Sequence, residues 1–211
     1  VKPLTVAVAK GRTLSALLPI LQRAGVDTVA LADERDRALV RPGSFDGGSL
    51  SFLLVKPDDV ATYVERGIAD VGACGRDVLR EHEPDVMMPL DLGIARCRMM
   101  VCGPVGRSIP DDLPRVATKY PRSAMRHFQA KGIQIDLMHL HGSVELAAIT
   151  GLADAIVDLV ETGETLAKNG LEPKELVYDV SATLVVNRAS AKLRRAAVEG
   201  LVGALRGVVG G

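Results

Sequence analysis

The stretch DAIVDLVETGETL, Asp154–Leu166, decides how this chain is read. Ala155 to Val160 is a short apolar run rich in branched residues, the pattern of a buried strand. Thr162, Gly163, Glu164 and Thr165 follow at its carboxyl end, and helix-forming residues resume. A strand that bends straight into a helix leaves the first helical amides without intrahelical partners, at the positive end of the dipole. Two threonine hydroxyls lie beside those amides, and Gly163 lets the backbone come close to a bound group. The corner is therefore a natural phosphate cradle. Asp158 and Glu161, just before it, are placed to accept hydrogen bonds from ribose hydroxyls. The plain alternative is a helix cap made by Thr162 or Thr165, with Glu164 favourable near the dipole, and spacing alone leaves both open.

The same strand-to-helix pattern repeats outward from this corner. LTVAVA (4–9) reads as a doubly covered central strand, and Leu14, Leu17, Leu18 and Leu21 follow at helical spacing before Gly25. Residues 28–52 predict an irregular hairpin with a mobile PGSFDGG tip. FLLVK is a strand, PDDVATYVERG a helix and ADVGACG a short buried strand ending in glycines. From Cys97 the pattern restarts with a strand (CRMMVCGP), a short strand before Pro121, a helix ending at Gly132 and an alternating strand (IQIDLMHLHG). SVELAAITG is then a short helix with Ser143 as its N-cap, ELVYDVSATLVVNRAS is extended chain, and the tail from Ala191 is an amphipathic helix.

This order predicts an α/β chain with mixed sheets and helices on both faces, folded as two lobes with an inter-lobe cleft. Lobe 1 takes residues 1–95 and 182–211, and lobe 2 takes 96–181.

Composition narrows the partners. Lys plus Arg and Asp plus Glu both count 26, so no global field recruits nucleic acid or an anionic membrane. Aromatic residues are 3% with no Trp, which removes the usual stacking platforms for single strands. No apolar run approaches the ~20 residues of a membrane span, and the first residues lack a signal-like core, so a cytoplasmic protein is expected. Cys74, Cys97 and Cys102 are odd in number and unevenly spaced, which reads as reduced core thiols. His139 and His141 share one face of a strand without a third ligand at matching spacing, and no Ser-His-Asp or Cys-His set supports a nucleophilic mechanism.

GLADAIVDLVETGETLAKNGL resembles the phosphoribosyl-binding segment of the ATP phosphoribosyltransferases. LTVAVAKGRTL, DVATYVERGIADVGACGRDVL, CRMMVCGP, RVATKYP, GSVELA and LVVNRAS resemble further blocks of that family, in its order and over most of the chain. The resemblance implies a fold like the type II periplasmic binding proteins and the first reaction of histidine biosynthesis. In that reaction adenine N1 of ATP displaces pyrophosphate from C1 of phosphoribosyl pyrophosphate, with Mg²⁺ present. It also implies the short form of the family, which works with a regulatory subunit resembling histidyl-tRNA synthetase as a hetero-octamer.

Carried residue by residue, the resemblance gives Thr162, Gly163, Glu164 and Thr165 the 5′-phosphate, and sets Asp158 and Glu161 toward the ribose or its magnesium. Lys10 and Arg12 become the catalytic cations on the polyphosphate, with no general base and no metal held by protein side chains. Gly72, Gly75 and Asp77 form the floor of the nucleotide site, with Arg98, Ser143 and Glu145 at lobe edges facing it; Arg37 matches a basic position of the family and is carried as substrate-binding. Each has a plainer reading as a turn glycine, a helix-end carboxylate or a solvated charge. The chain departs from the family pattern at Lys56, Ala61, His141, Ala148 and Glu164. A carboxylate beside a phosphate is repulsive, so Glu164 is expected to offer only its backbone amide. A non-catalytic two-lobed binding module, or a phosphoribosyltransferase with another acceptor base, are the competing readings.

Overall fold

The computed structural model describes residues 2–33 and 35–210. The chain divides into two compact units, Val1–Ala95 with Ser181–Gly211, and Arg96–Val180.

Unit 1 is built around β1 (Leu4–Ala9), every residue of which is buried. Its alternate side chains serve two cores: Leu4, Val6 and Val8 face one, Ala7 and Ala9 the other. This is why the segment is continuously apolar. Helix α1 (Arg12–Arg23) follows, then the short α2 (Val29–Ala32). The hairpin of β2 (Val40–Phe45) and β3 (Gly48–Val55) comes next, then a 3₁₀ turn (Pro57–Asp59), α3 (Val60–Glu65), β4 (Val71–Gly75), α4 (Arg76–His82) and β5 (Met87–Asp91). After unit 2, the chain adds β11 (Ala182–Val186), α8 (Arg188–Leu193) and α9 (Arg195–Val209). The sheet order is β2-β3-β1-β4-β11-β5. Strands β3, β1 and β4 run parallel, while β11 runs antiparallel to both β4 and β5. Val198, Leu201 and Leu205 of α9 close the larger core together with Leu17, Ile20 and Leu21 of α1.

Two expectations change here. The PGSFDGG tip is not a mobile loop: Pro42 to Phe45 belong to β2, and only Asp46 (φ 48°) and Gly47 (φ 73°) make the turn. Two consecutive positive φ angles are what a two-residue hairpin turn requires, and Pro42 is tolerated because β2 is an edge strand. Strand β5 (Met87–Asp91) adds an edge strand for which the sequence sets no expectation. Extended chain ends at Val186, because the Asn187 side chain accepts hydrogen bonds from the amides of Ala189 and Ser190 and so starts α8.

Unit 2 contains β6 (Cys97–Pro104), β7 (Arg115–Thr118), α5 (Pro121–Ala130), β8 (Asp136–His139), α6 (Glu145–Ile149), β9 (Ala155–Val160), α7 (Glu164–Lys168) and β10 (Leu171–Val180). The order is β10-β6-β9-β7-β8, with β8, β7 and β9 parallel and β6 antiparallel to both β9 and β10. One face packs on α6 and α7 through Met100, Cys102, Ile156, Val160 and Leu166. The other packs on α5 through Met99, Val101, Val157 and Phe128. Ser143 does not cap α6: the cap position is Val144, with no side-chain hydrogen bond. His141 lies beyond β8, and its ring packs on that of His139 with centroids 4.5 Å apart.

Candidate functional site

In unit 2 the carboxyl ends of the parallel strands β7, β8 and β9 share one side of the sheet, where binding loops gather in α/β proteins. Thr162 to Thr165 lie there, immediately after β9. Gly163 holds the cap position of α7 with φ 79° and ψ 2°, a left-handed conformation that suits glycine. Leu166, buried in the core, anchors the helix and leaves its first amides at the surface. The Glu164 carboxylate pairs with Lys168 Nζ at 2.8 Å along the helix, so its side chain turns away from the corner. Thr162 Oγ1 accepts from the Glu164 amide at 3.4 Å, a long contact that a better acceptor would displace.

Antiparallel pairing brings more residues to this end. Arg98 stands in register with Val160 of β9 on one side and Asp179 of β10 on the other. Its neighbours Met100 and Cys102 alternate onto the α6–α7 face, so Arg98 shares that face. Asp158 lies on it too, half-buried, with Oδ1 accepting from the Leu159 amide at 2.8 Å. Glu145 heads α6. Burial pushes the Cys102 thiol up to about 12, and the charges of Asp158 and then Glu145 add to the shift. Cys102 is held as a thiol and is no nucleophile. Ser143 is exposed in the loop before α6.

In unit 1 the matching strand end carries Lys10 and Arg12. Gly11 between them has φ 82° and ψ −139° and caps α1 without a side-chain hydrogen bond. No acidic residue stands in the first turn of this 12-residue helix, and Arg12 heads it. Cations at the positive end of a helix add to the pull that the helix start exerts on an anion. Lys10 is tied to the end of β3 by its amide, which donates to the Val55 carbonyl at 3.2 Å. A groove of about 590 Å³ opens here, with Leu39, Val40, Leu53 and Tyr63 as apolar walls, Lys10 and Lys56 as cations and Asp59 as a carboxylate that offsets part of their charge. Apolar walls with two ammonium groups suit a purine and its phosphates.

Three carried-over residues take other places in this unit. Gly72 is buried in β4, in register with Ala7 and Val185. A side chain there would meet methyls of Val60 and Val64 at 2.8 Å, so Gly72 admits α3 against the sheet and is no surface floor. Gly75 leaves room for the buried Asp77 carboxylate, whose Oδ1 lies 2.0 Å from where a β-carbon would stand. Asp77, inside the first turn of α4, also adds to the burial that pushes the Cys74 thiol up to about 12. Arg37 is exposed on the loop leading into β2, two residues before the groove wall at Leu39.

The geometry thus gathers Arg98, Glu145, Asp158, Glu161 and Thr162 to Thr165 at one end of unit 2, and Lys10 and Arg12 at one end of unit 1. Sequence reasoning missed Lys56 as a site residue; its place directly after a parallel strand was the available signal. Among the described residues no three His, Cys, Asp or Glu side chains cluster as a metal site, and no helix is long and apolar enough to cross a membrane.

Comparison with known proteins bears on the fold and the family. The chain is 10% identical to a probable amino-acid transporter extracellular-binding protein from Bacillus subtilis, with a TM-score of 0.62 over 100% of this chain and 93% of that one. That likeness shows the fold alone: a two-unit α/β protein of the periplasmic-binding kind, here bearing a strand-to-helix corner in one unit and a cationic helix start in the other. A structure of the ATP phosphoribosyl transferase (HisG:HisZ) complex from Thermotoga maritima is 36% identical, with a TM-score of 0.81 and 98% of both chains covered. The family model HisG, ATP phosphoribosyltransferase, matches residues 56–207. Curated ATP phosphoribosyltransferases are 53% identical over 210 residues in Sorangium cellulosum (100% of this chain, 98% of that protein) and 46% identical over 207 in Methylococcus capsulatus (98% and 96%). The chain belongs to the ATP phosphoribosyltransferase family, pentosyltransferases of histidine biosynthesis.

Proposed function

We propose that Thr162 to Thr165 hold the 5′-phosphate of phosphoribosyl pyrophosphate, that the groove of unit 1 takes the nucleotide, and that Lys10 and Arg12 are the cations that meet the polyphosphate. Adenine N1 of ATP attacks C1; the N1–C1 bond forms, the C1–O bond breaks, and pyrophosphate leaves with the bonding electrons. The product is N1-(5-phosphoribosyl)-ATP. The attacking nitrogen carries no proton, so no general base is needed, and the catalytic work is alignment and charge stabilisation of the leaving group. Lys10 and Arg12 supply that charge. Mg²⁺ enters with the phosphoribosyl pyrophosphate, since it favours phosphate oxygens and water over an all-protein cage. Asp158 and Glu161 orient the ribose, and Glu164 contributes only its amide.

The observation that carries this reading is the left-handed Gly163 just beyond the carboxyl end of β9, with Arg98 in register with that strand's last residue, Val160, and the Glu164 side chain turned away toward Lys168. The test is incubation with ATP, phosphoribosyl pyrophosphate and Mg²⁺, following the absorbance of the adduct. Adduct formation is expected; binding of either substrate without turnover would leave a binding module instead.

The Thermotoga maritima relative was solved as a HisG:HisZ complex. By analogy this chain joins a regulatory subunit resembling histidyl-tRNA synthetase in a cytoplasmic hetero-octamer. Co-purification from the native host, with the complex mass measured by light scattering, checks both the partner and the stoichiometry.

A further inference from the structure

Arg41 is a cation almost wholly inside unit 1, only 6% exposed, on the inward side of edge strand β2 and in register with Phe52. Its guanidinium collects backbone carbonyls from the segment that precedes the strand. Nη1 donates to Ala30 at 3.1 Å, Leu31 at 3.0 Å and Asp33 at 2.7 Å; Nε donates to Ala38 at 3.1 Å, and Nη2 to Asp36. The Asp36 carboxylate lies 3.6 Å from Nε and offsets the charge. That same carboxylate accepts from the Ala38 amide at 2.8 Å, and Asp33 accepts from the Arg35 amide at 2.9 Å.

Residues 30–33 and 35–38 thus curl around one planar group. They include Arg37 and lead into Leu39 and Val40, the wall of the groove that also holds Lys10 and Lys56. A buried cation costs desolvation, and here the return is the fixed shape of an otherwise polar, exposed loop. Only a guanidinium offers enough donors in one plane for five carbonyls; an ammonium has three.

We propose that Arg41 is a positioning residue for the nucleotide side of the reaction: it holds residues 30–33 and 35–39 in the shape that sets the Leu39–Val40 wall beside Lys10 and Lys56, with Arg37 two residues before that wall. This rests on the reading that the groove takes the nucleotide. Arg41 does not touch substrate; it acts through the loop.

The experiment is steady-state kinetics of the full chain, wild type against Arg41→Lys, Arg37→Ala and the double variant, with each substrate varied in turn. Arg41→Lys should raise KM for ATP about ten-fold, leaving kcat and KM for phosphoribosyl pyrophosphate within about two-fold. The double variant should be no worse than the more impaired of the two single variants, because both changes act through one loop. Equal losses toward both substrates, or effects that simply add, would overturn the proposal, as would a lowered unfolding temperature with unchanged KM for ATP. If Arg41→Lys does not fold, Asp36→Ala removes the ion pair from the exposed side and should give the same ATP-selective change at smaller size; an unchanged KM there also overturns it. Absence of adduct with the wild-type chain would instead strike the proposed reaction. In that case binding of ATP to Arg41→Lys and to wild type, by calorimetry, still decides the loop's role: equal affinity refutes it.

Discussion

Arg98 and Val160 face each other across the antiparallel β6–β9 pair, which sets a cation beside the step where the chain leaves its strand for the Glu161–Gly163 bend. The pairing is a backbone property, fixed by the register of two strands and independent of any ligand. An anion held by the amides after β9 would therefore meet a positive charge already in place.

Gly163→Ala tests the bend itself. At φ 79° an L side chain is strained by roughly 1–2 kcal/mol. The space is open, with only Val160 Cγ1 at 3.9 Å, so the cost is conformational and not a clash. The variant should lose stability by about that amount in denaturant titration. It should also raise KM for phosphoribosyl pyrophosphate with KM for ATP unchanged; a shift in the ATP constant alone would move the phosphate elsewhere.

Arg12→Ala should lower turnover by at least about ten-fold while weakening phosphoribosyl pyrophosphate binding much less, because its charge is used as the leaving group departs. Rapid-quench single turnovers beside equilibrium binding separate the two quantities. Parallel losses in both would make Arg12 a ground-state contact.

Gly72→Ala asks whether that glycine is packing or site. The added carbon meets Val60 and Val64 at 2.8 Å, an overpacking that costs about 1–3 kcal/mol. Pairing it with Val64→Ala relieves one of the two close contacts and should recover part of the loss, and the kinetic constants of the folded fraction should match wild type. A changed KM for ATP without loss of stability would return Gly72 to the nucleotide floor.

Acid stability should depend on Asp154. Arg115 Nη2 donates to Asp154 Oδ1 at 2.7 Å and Nε to Oδ2 at 3.0 Å, and these hydrogen bonds hold the carboxyl below its ordinary value. A carboxyl depressed on folding adds stability above its unfolded pKa and loses it as pH falls through the lower folded value. The pair is exposed and its contribution modest. Asp154→Asn should therefore be less stable than wild type at neutral pH and converge with it as pH drops below the ordinary carboxylate range. Parallel profiles in urea titrations across that range would show that the pair carries no linkage.

The strand-to-helix corner after β9 was legible because its signals are local: branched apolar residues, then a glycine between threonines. β1 was legible for the same reason. The hairpin was misjudged because Gly43 and Pro42 look like turn residues in sequence, whereas the edge position of β2 tolerates them and the Asp46–Gly47 pair supplies the turn. Gly72 was misplaced because nothing local distinguishes a glycine that admits a helix from one that admits a ligand; the difference lies in Val60 and Val64, twelve and eight residues away. Arg41 was invisible for a related reason. Its partners are carbonyl oxygens, which every residue has, so their convergence on one side chain leaves no mark in the residue pattern.

Cys97 and Val180 stand opposite each other across β6 and β10, so the segment Arg96–Val180 starts and finishes at neighbouring points of its own sheet. On the other side, the Ala182 amide donates to the Ile94 carbonyl at 2.9 Å, bringing the two cut ends of unit 1 equally near. Unit 2 thus interrupts unit 1 the way an inserted domain does, leaving and re-entering the chain at a single point on each side.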